Sequence, residues 1–266
     1  MNVMVLAAGA GGALAAFGTI ELASATLGGR LTRLPRWLRA ERILDNYLQG
    51  RWNEAEGQAE AFLSNSGAGH SRYMATAALL IRALIRFARG DSAAALEDSD
   101  AVLGLARAAA DPQVLIPALA FHSHILLATN HRADPSVFLD ELIERRQAFP
   151  SGLVSHWVIP FVVVLKALGR AQQLEEIARN ATISTRWLEA GLAYANDAFS
   201  EAADTLGDMG SRPEEAFVRL RAAEALVGAG RRAEADVQLE RALAFYRSVG
   251  ATAYIREAEG LFAASA

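Results

Sequence analysis

The stretch EALVGAGRRAEADVQLERALAFYRSVGA, residues 224–251, decides the fold. Apolar residues recur every three to four positions on both sides of a single break at Gly230, the spacing of one face of a helix. Two amphipathic stripes around one glycine make a helical hairpin. Glycine takes the left-handed conformation that ends the first helix, and small or acidic residues after it open the second. Each such hairpin needs a neighbour to bury its apolar face, so one hairpin predicts others.

Equivalent breaks run through the chain. Gly50 in YLQGRWNEAEGQA, Gly90 in FARGDSAAALED, Asn130 in LATNHRADPSVF and Gly169 in KALGRAQQLEEIA stand 40, 40 and 39 residues apart. Two more, near Asp197 and at Gly230, follow after 28 and 33 residues. Turns that close one hairpin and open the next fall at 63–71, 109–113, 148–152 and 210–216, where Pro112, Pro150 and Pro213 suit the first turn of a new helix. The map is about a dozen helices and no strand. VIPFVVVL, 158–165, is β-branched enough for a buried strand, but it fills a first-helix slot, ends in KALG and has no strand partner. It is predicted to be a helix buried on most sides, started or kinked by Pro160.

Composition agrees. Of 266 residues 56 are alanine, the best helix former, and a chain of this length can bury a large core. With no cysteine, disulfides and thiolate zinc sites are impossible and a cytoplasmic location is expected. Lys166 is the single lysine beside 25 arginines, and the formal charge of −4 argues against nucleic acid as a partner.

The N-terminal MNVMVLAAGAGGALAAFGTI carries no charge before Glu21. A signal peptide would need a basic start, and a membrane span here would be mostly Ala and Gly and end at once on Glu21, so the membrane is not the expected setting. Gly9, Gly11 and Gly12 imitate a dinucleotide loop, but the last glycine of that motif is replaced by Leu14 and no second strand follows. A Gly-interrupted helical segment and linker over 1–35, leading into one continuous repeat domain over 36–266, is the favoured division.

The repeats resemble the tetratricopeptide (TPR) family. Gly50 is followed by Trp52, Ala55, Ala59 and Phe62; Gly230 by Ala235, Leu239 and Ala242, with Ala223 and Leu226 before it. Residues 214–265 look like the C-terminal tail of large bacterial signalling ATPases, in which a nucleotide-binding regulator, often joined to a cyclase or a LuxR-type DNA-binding domain, carries a helical-repeat sensor. The resemblance implies a right-handed α-solenoid within an all-α class, and a role in protein interaction or effector sensing in signalling or transcription regulation. It leaves open whether the chain is an adaptor or the C-terminal part of a larger regulator.

Catalytic motifs are missing. Lys166 lies in VLKALG without a Gly-rich loop before it, which excludes ATP hydrolysis. No H-E-x-x-H occurs among His70, His122, His124, His131 and His156; His124 and His131 could share a helix face, but His131 falls at a hinge, and surface or capping roles are expected for them all. No G-x-S-x-G elbow is present. The neighbouring acids Glu175–Glu176 and Glu214–Glu215 read as solvated faces or first-turn charges. No enzyme activity and no cofactor are expected. The alternatives are an enzyme of unrecognised type, which needs a deep polar pocket, and an adaptor attached to a membrane through residues 3–20.

Two basic features remain. RLTRLPRWLRAER places Arg30, Arg33, Arg36, Arg39 and Arg42 three apart, a spacing that spreads around a helix rather than making one stripe; it reads as a linker entering a helix whose buried side is Trp37, Leu38, Leu44 and Leu48. The second feature uses the period. Arg82, Arg86 and Arg89 share one helix face; 40 residues back stand Arg42, Asn46 and Gln49, and 40 forward His122, Leu126 and Thr129. Stacked first helices would present Arg42, Arg82, Arg86, Arg89 and His122 as a groove for an acidic protein, peptide or anionic effector. The plainer alternative is a row of solvent-facing residues without a ligand.

Overall fold

In the computed structural model the described residues are 34–64, 72–149, 155–181 and 183–263; they hold thirteen helices and no strand. The predicted N-terminal segment, Arg30, Arg33, His70 and Pro150 lie outside them. The helices are α1 (Leu34–Leu48), α2 (Trp52–Ser64), α3 (Arg72–Ala88), α4 (Ser92–Ala109), α5 (Pro112–Ala128), α6 (Pro135–Ala148) and α7 (Val158–Ala167). They continue as α8 (Gln172–Asn180), α9 (Arg186–Ala195), α10 (Phe199–Asp208), α11 (Arg212–Gly228), α12 (Arg232–Val249) and α13 (Thr252–Ala263).

All six expected hinges have positive φ: Gly50 77°, Gly90 90°, Asn130 49°, Gly169 69°, Asp197 62° and Gly230 72°. The same two bonds recur at each. At the first, Gly50 N–H donates to Tyr47 O and Arg51 N–H to Asn46 O; at the second, Gly90 to Phe87 and Asp91 to Arg86. These pairs satisfy carbonyls that the end of a helix leaves open. Start signals are as local: Asp91, Asp111, Asp134 and Thr185 each accept from a backbone N–H of the helix they precede.

Each helix packs on the next, and α1, α3, α5, α7 and α9 also touch in succession. Helix α5 lies among α3, α4, α6 and α7, and buries nearly every side chain from Val114 to Leu126. The VIPFVVVL segment is helix α7, as expected; Phe161, Val162, Val164 and Leu165 are fully buried. Of the side expected to be buried on α1, Leu38 is buried and Leu44 and Leu48 are half-buried, while Arg39 and Arg42 stay exposed.

One feature of the packing is of long range. Helix α11 touches α1, and α13 touches α3, so the last helices return to the first hairpins. Arg212 Nη1 donates to Gln49 O at 3.0 Å and Thr252 Oγ1 to Arg89 O at 2.6 Å. The rings of Trp52 and Phe245 meet edge to face at 5.7 Å. A Cβ on Gly50 would come 2.9 Å from Phe245 Cε2, so this hinge needs glycine for closeness as well as for φ.

Candidate functional site

The expected arginine stripe lies in the seams between helices. Arg82 holds Asp98 of α4 with two bonds, Nε at 2.8 Å and Nη2 at 2.6 Å, and Arg86 Nη1 reaches the same carboxylate at 3.0 Å. Arg86 also faces Glu60 of α2 at 3.8 Å. Arg89 donates to Glu56 and Asn53, both at 2.5 Å, and to Val249 O at 3.3 Å. Bidentate arginine–carboxylate geometry is among the stronger polar contacts a chain makes with itself. An acidic ligand here competes with Asp98 and Glu56.

Two pairs of positions 40 apart reach the same helix. Asn46 and Arg86 both reach α2, at Gln58 and Glu60. Arg82 and His122 both reach α4, at Asp98 and Ser99, the latter through Nδ1 at 2.9 Å. His122 is 2% exposed, its ring lies 4.5 Å from Phe138, and burial lowers its pKa. Arg42 is exposed on α1.

The histidines correct the sequence expectation of surface or capping roles. His131 is exposed and its Nδ1 accepts from Ala133 N–H, but His122 and His124 are buried. Burial brings the pKa of His124 and of His156 down to about 4, so both are neutral near pH 7. They sit among aromatic rings: His124 lies 5.6 Å from Phe217 and 6.5 Å from Phe87, and His156 5.7 Å from Phe121.

Glu214 is a second correction. Read from the sequence as a first-turn or solvated charge, it is 7% exposed, whereas Glu175 and Glu176 are exposed as expected. Its helix start packs against α1 rather than facing water, because α11 is one of the elements that closes onto the first hairpin. The carboxylate accepts from Ser211 Oγ at 2.5 Å. Burial pushes its pKa up to about 7 against that hydrogen bond, which favours the charged form.

His124 and Glu214 meet in a chamber of about 60 Å³ where the last described helices come back to the first. Its wall combines Tyr47 of α1, Trp52 of α2, Phe87 of α3, Phe121 and His124 of α5, and Ile159 and Pro160 of α7. The returning helices add Glu214 and Phe217 of α11, Tyr246 of α12 and Tyr254 of α13. Tyr246 and Tyr254 stack at 4.8 Å, and Phe217 and Phe87 each meet Tyr254 edge on, at 6.1 and 6.0 Å. His124 Nδ1 and Tyr246 Oη are buried without a hydrogen-bond partner among the described residues. Beside the chamber Arg221 ties α11 to α13 through Glu257 and lies over the Phe217 ring at 5.1 Å.

A wider groove of about 280 Å³ runs between α11 and α12 past Arg212, Arg219 and Arg241. Arg219 is already held by Glu215, Gln238 and Asp204. Among the described residues no group of three or more acidic or histidine side chains is placed to hold a metal ion. No helix among them is long and apolar enough to cross a membrane. No family model matches the chain, and no curated protein matches it.

The chamber was not anticipated from the sequence, although one signal for its first half was present. Tyr47 and Phe87 stand 40 apart, as do Leu84 and His124, the period that also organised the arginines. That the returning helices would contribute Glu214, Tyr246 and Tyr254 to the same space was not signalled.

Proposed function

We propose that the chain is a non-catalytic helical-repeat module of the TPR type, a right-handed α-solenoid. In this reading it serves protein interaction or effector sensing in a bacterial signalling or transcription-regulating system. The observation that carries the reading is the hinge motif found at all six expected hinges and again at Gly210, with two pairs of positions 40 apart reaching the same neighbouring helix. Stacked repeats of this kind present continuous concave surfaces rather than a single catalytic cleft. The likeness of residues 214–265 to the sensor tails of signalling ATPases points the same way.

Sensing is favoured over a purely structural role by two of the unmatched polar atoms. Among the described residues His124 Nδ1 and Tyr246 Oη have no hydrogen-bond partner, and they line a chamber built from the first and last described helices. A ligand there would touch α1, α3, α11, α12 and α13 together, and so would bias how firmly the ends close.

A thermal-shift panel of small cationic, anionic and neutral metabolites tests the proposal on the whole chain, followed by hydrogen exchange with any ligand found. The expected result is a ligand that raises the melting temperature and slows exchange in α1, α11 and α13, and that is recovered unchanged. An enzyme reading rests on Glu214 and His124 lining one chamber with shifted pKa values. Conversion of the bound ligand would establish that reading and end the non-catalytic one.

A further inference from the structure

The lining of the chamber holds acceptors and aromatic faces; the nearby cation, Arg221, is already taken by Glu224 and Glu257. Glu214 is buried with the Ser211 hydroxyl as its hydrogen-bond partner, and among the described residues no arginine, lysine or histidine forms an ion pair with it. Elsewhere in the chain a buried carboxylate is answered: Asp98 receives two arginines, and Asp45 receives Arg51 at 2.9 Å. The face of an aromatic ring carries negative potential and attracts cations, most strongly when water is excluded. The orphaned atoms, His124 Nδ1 and Tyr246 Oη, are both able to accept.

We propose that the chamber is a binding site for a small primary ammonium cation, seated on the Glu214 carboxylate with Tyr246 and His124 as further acceptors. This rests on the effector-sensing reading and names the class of effector. A primary ammonium carries three donors, and the chamber offers three kinds of acceptor. Its short alkyl group lies against rings such as Trp52, Phe87 and Tyr254.

Size narrows the class. On the same scale a water needs roughly 10–15 Å³ and an apolar cavity that admits benzene has about 150 Å³. At about 60 Å³ the chamber suits a molecule of a few non-hydrogen atoms, such as methylammonium or ethylammonium. Anions are repelled by the carboxylate, and a neutral alcohol of equal size leaves it without a counter-charge.

Proton balance follows from the groups that face Glu214. These are Tyr47 from α1, His124 from α5, Tyr246 from α12 and Tyr254 from α13, with the Ser211 hydroxyl at the start of its own helix; beyond them the ion pair of Arg221 on α11 with Glu257 on α13 acts on His124, Tyr246 and Tyr254. Burial raises the pKa of all three tyrosines, which keeps them protonated, and keeps His124 neutral at pH 7. Glu214 is therefore the one group of the set that changes charge near pH 7, and the cation binds after it has lost its proton.

Calorimetric titration of the whole chain with methylammonium chloride provides the test. Saturable one-to-one binding is expected at pH 8, weakened about tenfold at pH 6, where a carboxyl of pKa about 7 is mostly protonated. Glu214→Gln should abolish it while keeping a cooperative melt. Tyr246→Phe, which keeps the ring, should weaken it several-fold and serves if the first variant does not fold. No saturable heat at pH 8, equal heat from potassium chloride or methanol, or undiminished binding by Glu214→Gln would each overturn the site. Binding without slower exchange in α1, α11 and α13 would uphold the site and defeat the sensing reading. Absence of methylammonium binding leaves that reading to the metabolite panel.

Discussion

Two carboxylates are buried to nearly the same depth and live in different worlds. Asp98 is 4% exposed and Glu214 7%. Asp98 lies in a seam between consecutive helices and is gripped by Arg82 and Arg86. Glu214 lies where the last helices return to the first, and holds a serine hydroxyl amid aromatic rings. In the seams the buried carboxylates of Asp98 and Asp45 each meet an arginine, because a buried charge left alone costs several kcal/mol. The closure leaves acceptors unmatched, and that contrast separates what holds the fold from what is fit to bind.

The contrast can be broken first at the seam. Asp98→Ala leaves Arg82 and Arg86 side by side without their shared carboxylate and should cost about 3–5 kcal/mol, read as a lower urea midpoint at constant slope. A loss under 1 kcal/mol would place the two carboxylates in one category.

At the chamber the charge should act in the opposite sense. The folded state holds the Glu214 proton up to a pKa of about 7, above the value of 4.5 for an unperturbed Glu, so stability from this group is full below pH 4.5 and lost as pH rises through 7. Glu214→Gln should remove that loss. Between pH 5 and pH 8 the variant should gain on the order of 2–3 kcal/mol over the native chain, measured as the difference of two stability curves.

Glycines sharpen the comparison further. Gly50 and Gly230 share a positive φ, but a Cβ meets Phe245 at 2.9 Å on Gly50 and nothing within 4 Å on Gly230. Gly230→Ala should cost about 1 kcal/mol for backbone strain, and Gly50→Ala about 1–2 kcal/mol more for displacing the ring. Equal costs would mean that Phe245 does not rest on the first hinge in solution.

The smallest pair concerns hydroxyls. Ser99→Ala removes the seam partner of His122 and should destabilise by about 1 kcal/mol, whereas Tyr246→Phe removes an unpartnered buried hydroxyl and should stabilise by about 1 kcal/mol. Opposite signs in chemical denaturation are the expected outcome.

Local order was legible in the sequence and long-range order was not. Hinges could be found because left-handed caps are written in one or two residues: Gly50, Gly90, Gly169 and Gly230 announce them, Asn130 stands where the spacing requires, and Asp197 was found from the break between apolar stripes although it departs from that spacing. The β-branched VIPFVVVL resolved as a helix once its place in the repeat was counted. The arginine stripe was located in register, but its partners Asp98 and Glu56 sit on second helices, which the period of the first helices does not describe. His124 and Glu214 were misread because their burial comes from helices far along the chain, α11 to α13 meeting α1 and α3. Contacts such as Arg212 to Gln49 join residues 163 apart and leave no local pattern.

The return of the C-terminal helices to the first hairpins underlies both the chamber and its ligand, and a disulfide tests it directly. A Cβ on Gly90 would lie 3.6 Å from Thr252 Oγ1, within reach of a bridge, and Asn130 at the equivalent hinge carries a side chain at positive φ. The chain has no cysteine to confuse the result. In Gly90→Cys/Thr252→Cys, mild oxidation in native buffer should consume both thiols within one molecule and raise the melting temperature. Two thiols that stay free and titratable in the folded protein would show that α13 does not return to α3.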